Sequence, residues 1–233
     1  MTAAVAVAAP AGFWRRYSAY SLDFALLAAA ALTLGWSRFS AAWRDTVAAL
    51  HVLSALLGRR LADGLMHGMS PDRFAQALLA DPSVIAGAAA VQDGIARLLF
   101  SWLLWYALLS TLYHVGFERS SWRGSPGKRA LQLEVVDATD DGTPAAWRTL
   151  LRHAACTLSW VTLNLGHALA ALPPQKRALH DYIAGTRVLD GSGDARLPAW
   201  ARLWLLAQAA AGIALVAWGL QRYAMALQSA ASG

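Results

Sequence analysis

Apolar positions in this chain gather into long blocks instead of alternating, and four of the blocks approach the ~20 residues that cross a bilayer as a helix. The first runs from Tyr17 to Trp36 between Arg15-Arg16 and Arg38. A second, "IARLLFSWLLWYALLSTLYHVGF", covers Ile95 to Phe117, and a last clean one extends from Trp200 to Leu220. The third block, Leu150 to Leu172, is a poor spanning helix, because it carries Arg152, His153, Asn164, Gly166 and His167 and stops at Pro173-Pro174. The pattern lacks the alternating segments of about ten residues that a membrane barrel needs.

Polar stretches divide the blocks. Residues 37–94 mix five Arg with five Asp, include the breakers Gly68, Pro71 and Pro82, and predict amphipathic helices lying at the interface or capping the bundle. Residues 118–148 contain "RALQLEVVD", whose alternation predicts a short strand over 130–136, with a turn at Asp141-Gly142 and a second short strand at 186–189. The expected fold is therefore an all-α membrane protein, a bundle of three spanning helices plus one broken or re-entrant helical segment, with a small cytoplasmic β element. Its organisation reads as a flexible start (1–12), a membrane domain (13–190, with 37–94 inserted), and an extra C-terminal helix with its tail (191–233).

Composition agrees with a lipid environment: 57% of residues are hydrophobic, 11 are tryptophan, and mean hydropathy is +0.38. The net charge of +6 suits loops beside anionic lipid, and no nucleic-acid partner is expected. Basic residues at 15–16 and in the 119–152 cluster place the amino terminus in the cytoplasm. A re-entrant turn near Asn164 to Gly166 keeps Lys176, Arg177 and Arg187 on that same side and lets the two strands meet. Arg15-Arg16 ahead of an apolar run suggests a twin-arginine signal only faintly, since Asp23 interrupts the run. The single cysteine, Cys156, excludes an intramolecular disulfide and reads as a small apolar residue.

Four stretches, "FWRRYSAYSLD", "FERSSWRGSPGKRALQLEVVD", "WRTLLR" and "KRALHDYIAGTRVL", together resemble the RDD family of small bacterial membrane proteins in order and spacing. The resemblance puts the family's arginine on Arg16 and its two aspartates on Asp23 and Asp181. It implies a bacterial inner-membrane location and, as the usual proposal, transport of ions or small solutes. The chain departs from the family pattern at Ser125, Gln132 and Glu134, where threonine, glycine and a basic residue are common. The 37–94 insertion and the last helix are additions.

Arg16 and Asp23 stand seven residues apart, about 10 Å along a helix and nearly on one face. A carboxyl at that depth costs on the order of 3 kcal/mol unless it is protonated or partnered. Ser110, His114 and Glu118 recur at every fourth position and make a polar stripe on the second span, expected to meet Asp23 and, with Arg16 and Asp181, to form a proton, cation or small-solute site. The competing reading is that these groups only hold helices together. Asp181 is expected to cap a helix or turn near Lys128 or Arg129, and those two cations, aimed by Pro126-Gly127, are expected to contact lipid phosphates or acidic loop residues. "GSPGKR" lacks phosphate-loop spacing, His180 has no second ligand at zinc spacing, and no nucleophile arrangement is present. No cofactor, metal or enzymatic activity is expected. The function expected is transport-related, with a non-transporting accessory or scaffold protein as the alternative. The partners are anionic lipid headgroups and a homo-oligomer or another membrane protein, because so few spans hardly enclose a pathway alone.

Overall fold

The computed structural model describes residues 9–161, 165–172, 174–194 and 196–232. In chain order the elements are strand β1 (Ala9–Pro10), helices α1 (Phe13–Leu34), α2 (Trp36–Met66), α3 (Pro71–Ala80), α4 (Pro82–Arg119) and α5 (Pro126–Ala130), strand β2 (Leu133–Asp137), helices α6 (Ala146–Val161), α7 (Leu165–Ala168) and α8 (Leu179–Ala184), strand β3 (Thr186–Asp190) and helix α9 (Ala199–Ser232). A 3₁₀ turn, Leu169–Ala171, follows α7. Among the described residues, three stretches are long and apolar enough to span a bilayer: α1, α4 and Ala199–Met225 of α9. Leu99, Phe100, Leu103, Leu104 and Leu108 on α4, and Leu206, Ile213, Leu215 and Val216 on α9, are exposed, as residues facing acyl chains are.

The chain divides into two compact units, one of residues 1–24 and 113–233, the other of residues 25–112. In the second unit, α2 is a single 31-residue helix, and α4 already begins at Pro82, so the end of the predicted insertion is continuous with the second span. Local chemistry explains that start. Proline suits the first helical turn, and the Asp81 carboxylate accepts the Ser83 backbone N–H at 2.8 Å. The inserted helices approach closely where side chains are small: a Cβ on Gly94 would lie 3.1 Å from the Thr46 Cα, and one on Gly64 would lie 2.8 Å from the Phe74 ring.

The first unit is built on a three-stranded antiparallel sheet in the order β1-β3-β2. Val135 faces Val188 across the sheet, and Leu131, Leu133, Val135 and Val188 join Ala11, Ala19 and Ala201 in its apolar core. The strand expected at 130–136 starts later because α5 occupies Pro126–Ala130 and Gln132 turns the chain with a φ of +58°. That left-handed backbone is one that glycine adopts most easily, and here glutamine adopts it. Ala9 and Pro10, expected in the flexible start, are the edge strand: they pair with Asp190 and Leu189, and the Ala11 N–H donates to the Val188 carbonyl at 3.0 Å. Proline is tolerated there because one side of an edge strand needs no donor.

The third apolar block is broken. The short α7 and the 3₁₀ turn follow α6. Helix α7 comes back onto α6: a Cβ on Gly166 would lie 3.1 Å from the Ser159 Cβ, and His167 Nε2 is 3.2 Å from the Cys156 Sγ. Asn164, where the sequence places a re-entrant turn, lies outside the described residues. Helix α8 ends at Gly185, whose φ of +64° reverses the chain into β3.

Candidate functional site

Arg16, Asp23 and Asp181 fall into two buried clusters within the first unit. Asp23, midway along α1 and 1% exposed, is gripped from two directions. From α4, the Tyr113 hydroxyl donates to Oδ1 at 2.7 Å. From the first turn of α5, the Gly127 backbone N–H donates to Oδ1 at 2.7 Å, and from the residue before the helix the Ser125 hydroxyl makes a short bond to Oδ2. Glycine is required at 127, since a Cβ there would lie 2.7 Å from Asp23 Oδ1 and nearer still to the Ala19 carbonyl. No basic side chain is ion-paired with Asp23 among the described residues.

The second cluster is ionic. Asp181, on α8 and fully buried, accepts Arg16 Nη1 at 2.6 Å, Arg152 Nε at 3.0 Å and the Ala178 backbone N–H at 3.0 Å. Arg152 also donates to Glu118 Oε1 at 2.6 Å, and Lys128 reaches the same oxygen at 2.6 Å. Three cations thus surround two carboxylates, linking α1, α4, α5, α6 and α8. Burial alone would raise the Asp181 carboxyl, but the Arg152 and Arg16 guanidiniums outweigh it and hold the group well below the usual carboxylate range. Burial pushes the neighbouring His180 imidazole down to about 3, against the Asp181 carboxylate, so this ring is neutral. Arg16 completes its fan of bonds on the Lys176 and Ala11 carbonyls.

The stripe proposed from the sequence is divided between these surroundings. Glu118 joins the ionic cluster and not Asp23, because its phase on α4 presents it to Arg152 and Lys128. His114 lies against His153, ring centroids 5.5 Å apart, and Tyr113, one residue earlier, takes the position at Asp23 that the stripe gives to His114. Ser110 is buried in the second unit, where its hydroxyl donates to the Ala107 carbonyl of its own helix. Asp181 caps α8 through Ala178, and its cations are Arg16 and Arg152 in place of Lys128 or Arg129. Arg129 instead pairs with Glu134 of β2 at 2.8 Å, and Lys128 turns inward to Glu118. The sequence reading did not assign Arg152, Tyr113, Ser125 and Gly127 to the site. An arginine inside an apolar block is a signal for a buried counter-charge; the other three have no comparable one.

The RDD family model matches residues 10–185, which include both clusters. This chain belongs to the RDD family. Within the matched stretch, Arg16 and Asp181 are ion-paired, while Asp23 is held by hydroxyls and an amide. No curated protein and no solved structure matches this RDD protein.

Proposed function

We propose that this RDD protein is a multi-pass inner-membrane protein, with a cytoplasmic amino terminus, that takes part in transport and takes a proton or small cation at Asp23. The reading is supported above all by one contrast: Asp181 and Glu118 are neutralised by buried cations, whereas the equally buried Asp23 has only neutral donors among the described residues. The Tyr113 and Ser125 hydroxyls can each act as donor or acceptor, so the same oxygens serve a carboxylate, a carboxylic acid or a bound cation. Exposed basic residues engage anionic headgroups, and a second copy or another membrane protein completes the pathway. No enzymatic step is part of this role.

A second reading, a non-transporting accessory or scaffold protein, draws on the same bonds, because Tyr113, Ser125 and Gly127 fasten α1 to α4 and α5. Proteoliposome flux separates the two. Purified protein in anionic vesicles should show pH- or Na⁺-dependent flux that falls at least about tenfold to background in Asp23→Asn, a change that keeps a hydrogen-bonding side chain of the same shape. Absence of flux from the wild type, or an unaltered flux in Asp23→Asn with a wild-type melting curve, favours the scaffold.

A further inference from the structure

We propose that Cys156, His167 and His180 form a site for a single cuprous ion where α6, α7 and α8 meet. One ligand atom from each of the three residues lies within 4.8 Å of the others. The Cys156 Sγ is 3.2 Å from His167 Nε2, and the His167 and His180 rings have centroids 5.1 Å apart. Donors of one ion with metal–ligand bonds of about 2.1 Å are separated by roughly 3.6 Å in a trigonal plane, so the set needs only a slight closure. Chain separations of 11 and 13 residues hide this arrangement from any spacing rule, and the fold supplies His180 with the companions that the sequence does not.

Two further observations point to an ion. The His180 side chain is 8% exposed, and its Nδ1, like that of His167, is buried without a hydrogen-bond partner. Buried polar atoms are normally satisfied, and an imidazole lone pair held in such a place is a ready ligand. His180 is also oriented from behind. Its Nε2 faces Arg152 Nη2 at 3.4 Å and lies 3.6 Å from Asp181 Oδ1, which leaves Nδ1 as the ring nitrogen without a partner. Gly166, next to His167, allows the approach of α7: a Cβ there would lie 3.1 Å from the Leu179 Cβ and closer to the Ser159 hydroxyl.

Charge selects the ion. Arg152 Nη2 is 3.4 Å from His180 Nε2, so added positive charge is penalised here. Binding Cu⁺ displaces the thiol proton as the S–Cu bond forms, one positive charge leaving for one arriving, with no change of oxidation state. A zinc ion would leave the site one charge more positive and would demand a fourth ligand. One thiolate and two imidazoles in a three-coordinate site match the preference of the soft monovalent ion.

The test is Cu⁺ titration of the detergent-purified full chain under reducing conditions against a chromophoric Cu⁺ chelator, with Zn²⁺ in parallel. The expected result is one tightly bound Cu⁺ per chain, with affinity lowered at least about 100-fold in Cys156→Ser and in His167→Gln. Both variants should keep the melting curve of the metal-free wild type, and X-ray absorption should show one sulfur and two nitrogens. Failure of the wild type to bind, Cu⁺ affinity unchanged in both variants, or stoichiometric binding of Zn²⁺ without Cu⁺ overturns the assignment. None of these outcomes depends on flux through Asp23.

Discussion

Asp181→Asn is expected to destabilise the protein by about 3–5 kcal/mol, because it removes the charge that Arg16 and Arg152 share and leaves the arginines buried beside an amide. Against total stabilities of about 5–15 kcal/mol, a loss of that size lowers Tm by about 10 °C and most of the membrane-inserted protein disappears from cells. Thermal unfolding in detergent, followed by tryptophan fluorescence, gives the number. The ionic origin has its own signature: combining Asp181→Asn with Arg16→Gln should cost less than the sum of the two single changes, since the double variant leaves fewer unpaired charges. Strict additivity would mean that Asp181 acts as a helix cap alone, through its bond to the Ala178 N–H.

Gly127→Val is expected to have the next largest effect, about 3 kcal/mol, by pushing the first turn of α5 away from α1. The added side chain has no room beside Asp23 Oδ1 and the Ala19 carbonyl, so the amide bond to Asp23 is lost and Ser125 is drawn away with it. Gly116→Val on α4 is the matched control, as nothing lies within 4 Å of a Cβ at that position. A melt in which the two variants are alike would place the "SPGKR" segment outside the structure that holds Asp23.

Much of this arrangement is legible in the sequence because lipid imposes strong patterns. Uninterrupted apolar runs locate α1, α4 and α9, and the interrupted run from Leu150 is indeed a broken helix. The alternation around Leu133 and Val135 locates the strand that pairs with β3. Arg16, Asp23 and Asp181 stand out as charges a membrane domain would not carry idly. Partner choice is another matter. Four-residue spacing groups His114 with Glu118, yet a helix turns 100° per residue, and Tyr113 next door is the side chain that reaches Asp23. Ser125 and Gly127 arrive from the start of α5, whose path follows from sheet packing and the αL turn at Gln132, neither of which has a periodic signature. The meeting of Cys156, His167 and His180 depends on how α7 folds back between α6 and α8, a tertiary event that no local rule anticipates.

Flux requires a complete pathway, whereas occupancy requires only the site, so equilibrium binding tests the role of Asp23 most directly. Radiolabelled Na⁺ binding and proton uptake by the purified chain, compared with Asp23→Asn and with the surface control Glu134→Gln, should show one saturable site in the wild type and in Glu134→Gln and none in Asp23→Asn. Equal binding by the wild type and a correctly folded Asp23→Asn, at any level including zero, would contradict the account and leave Asp23 as a clasp between helices.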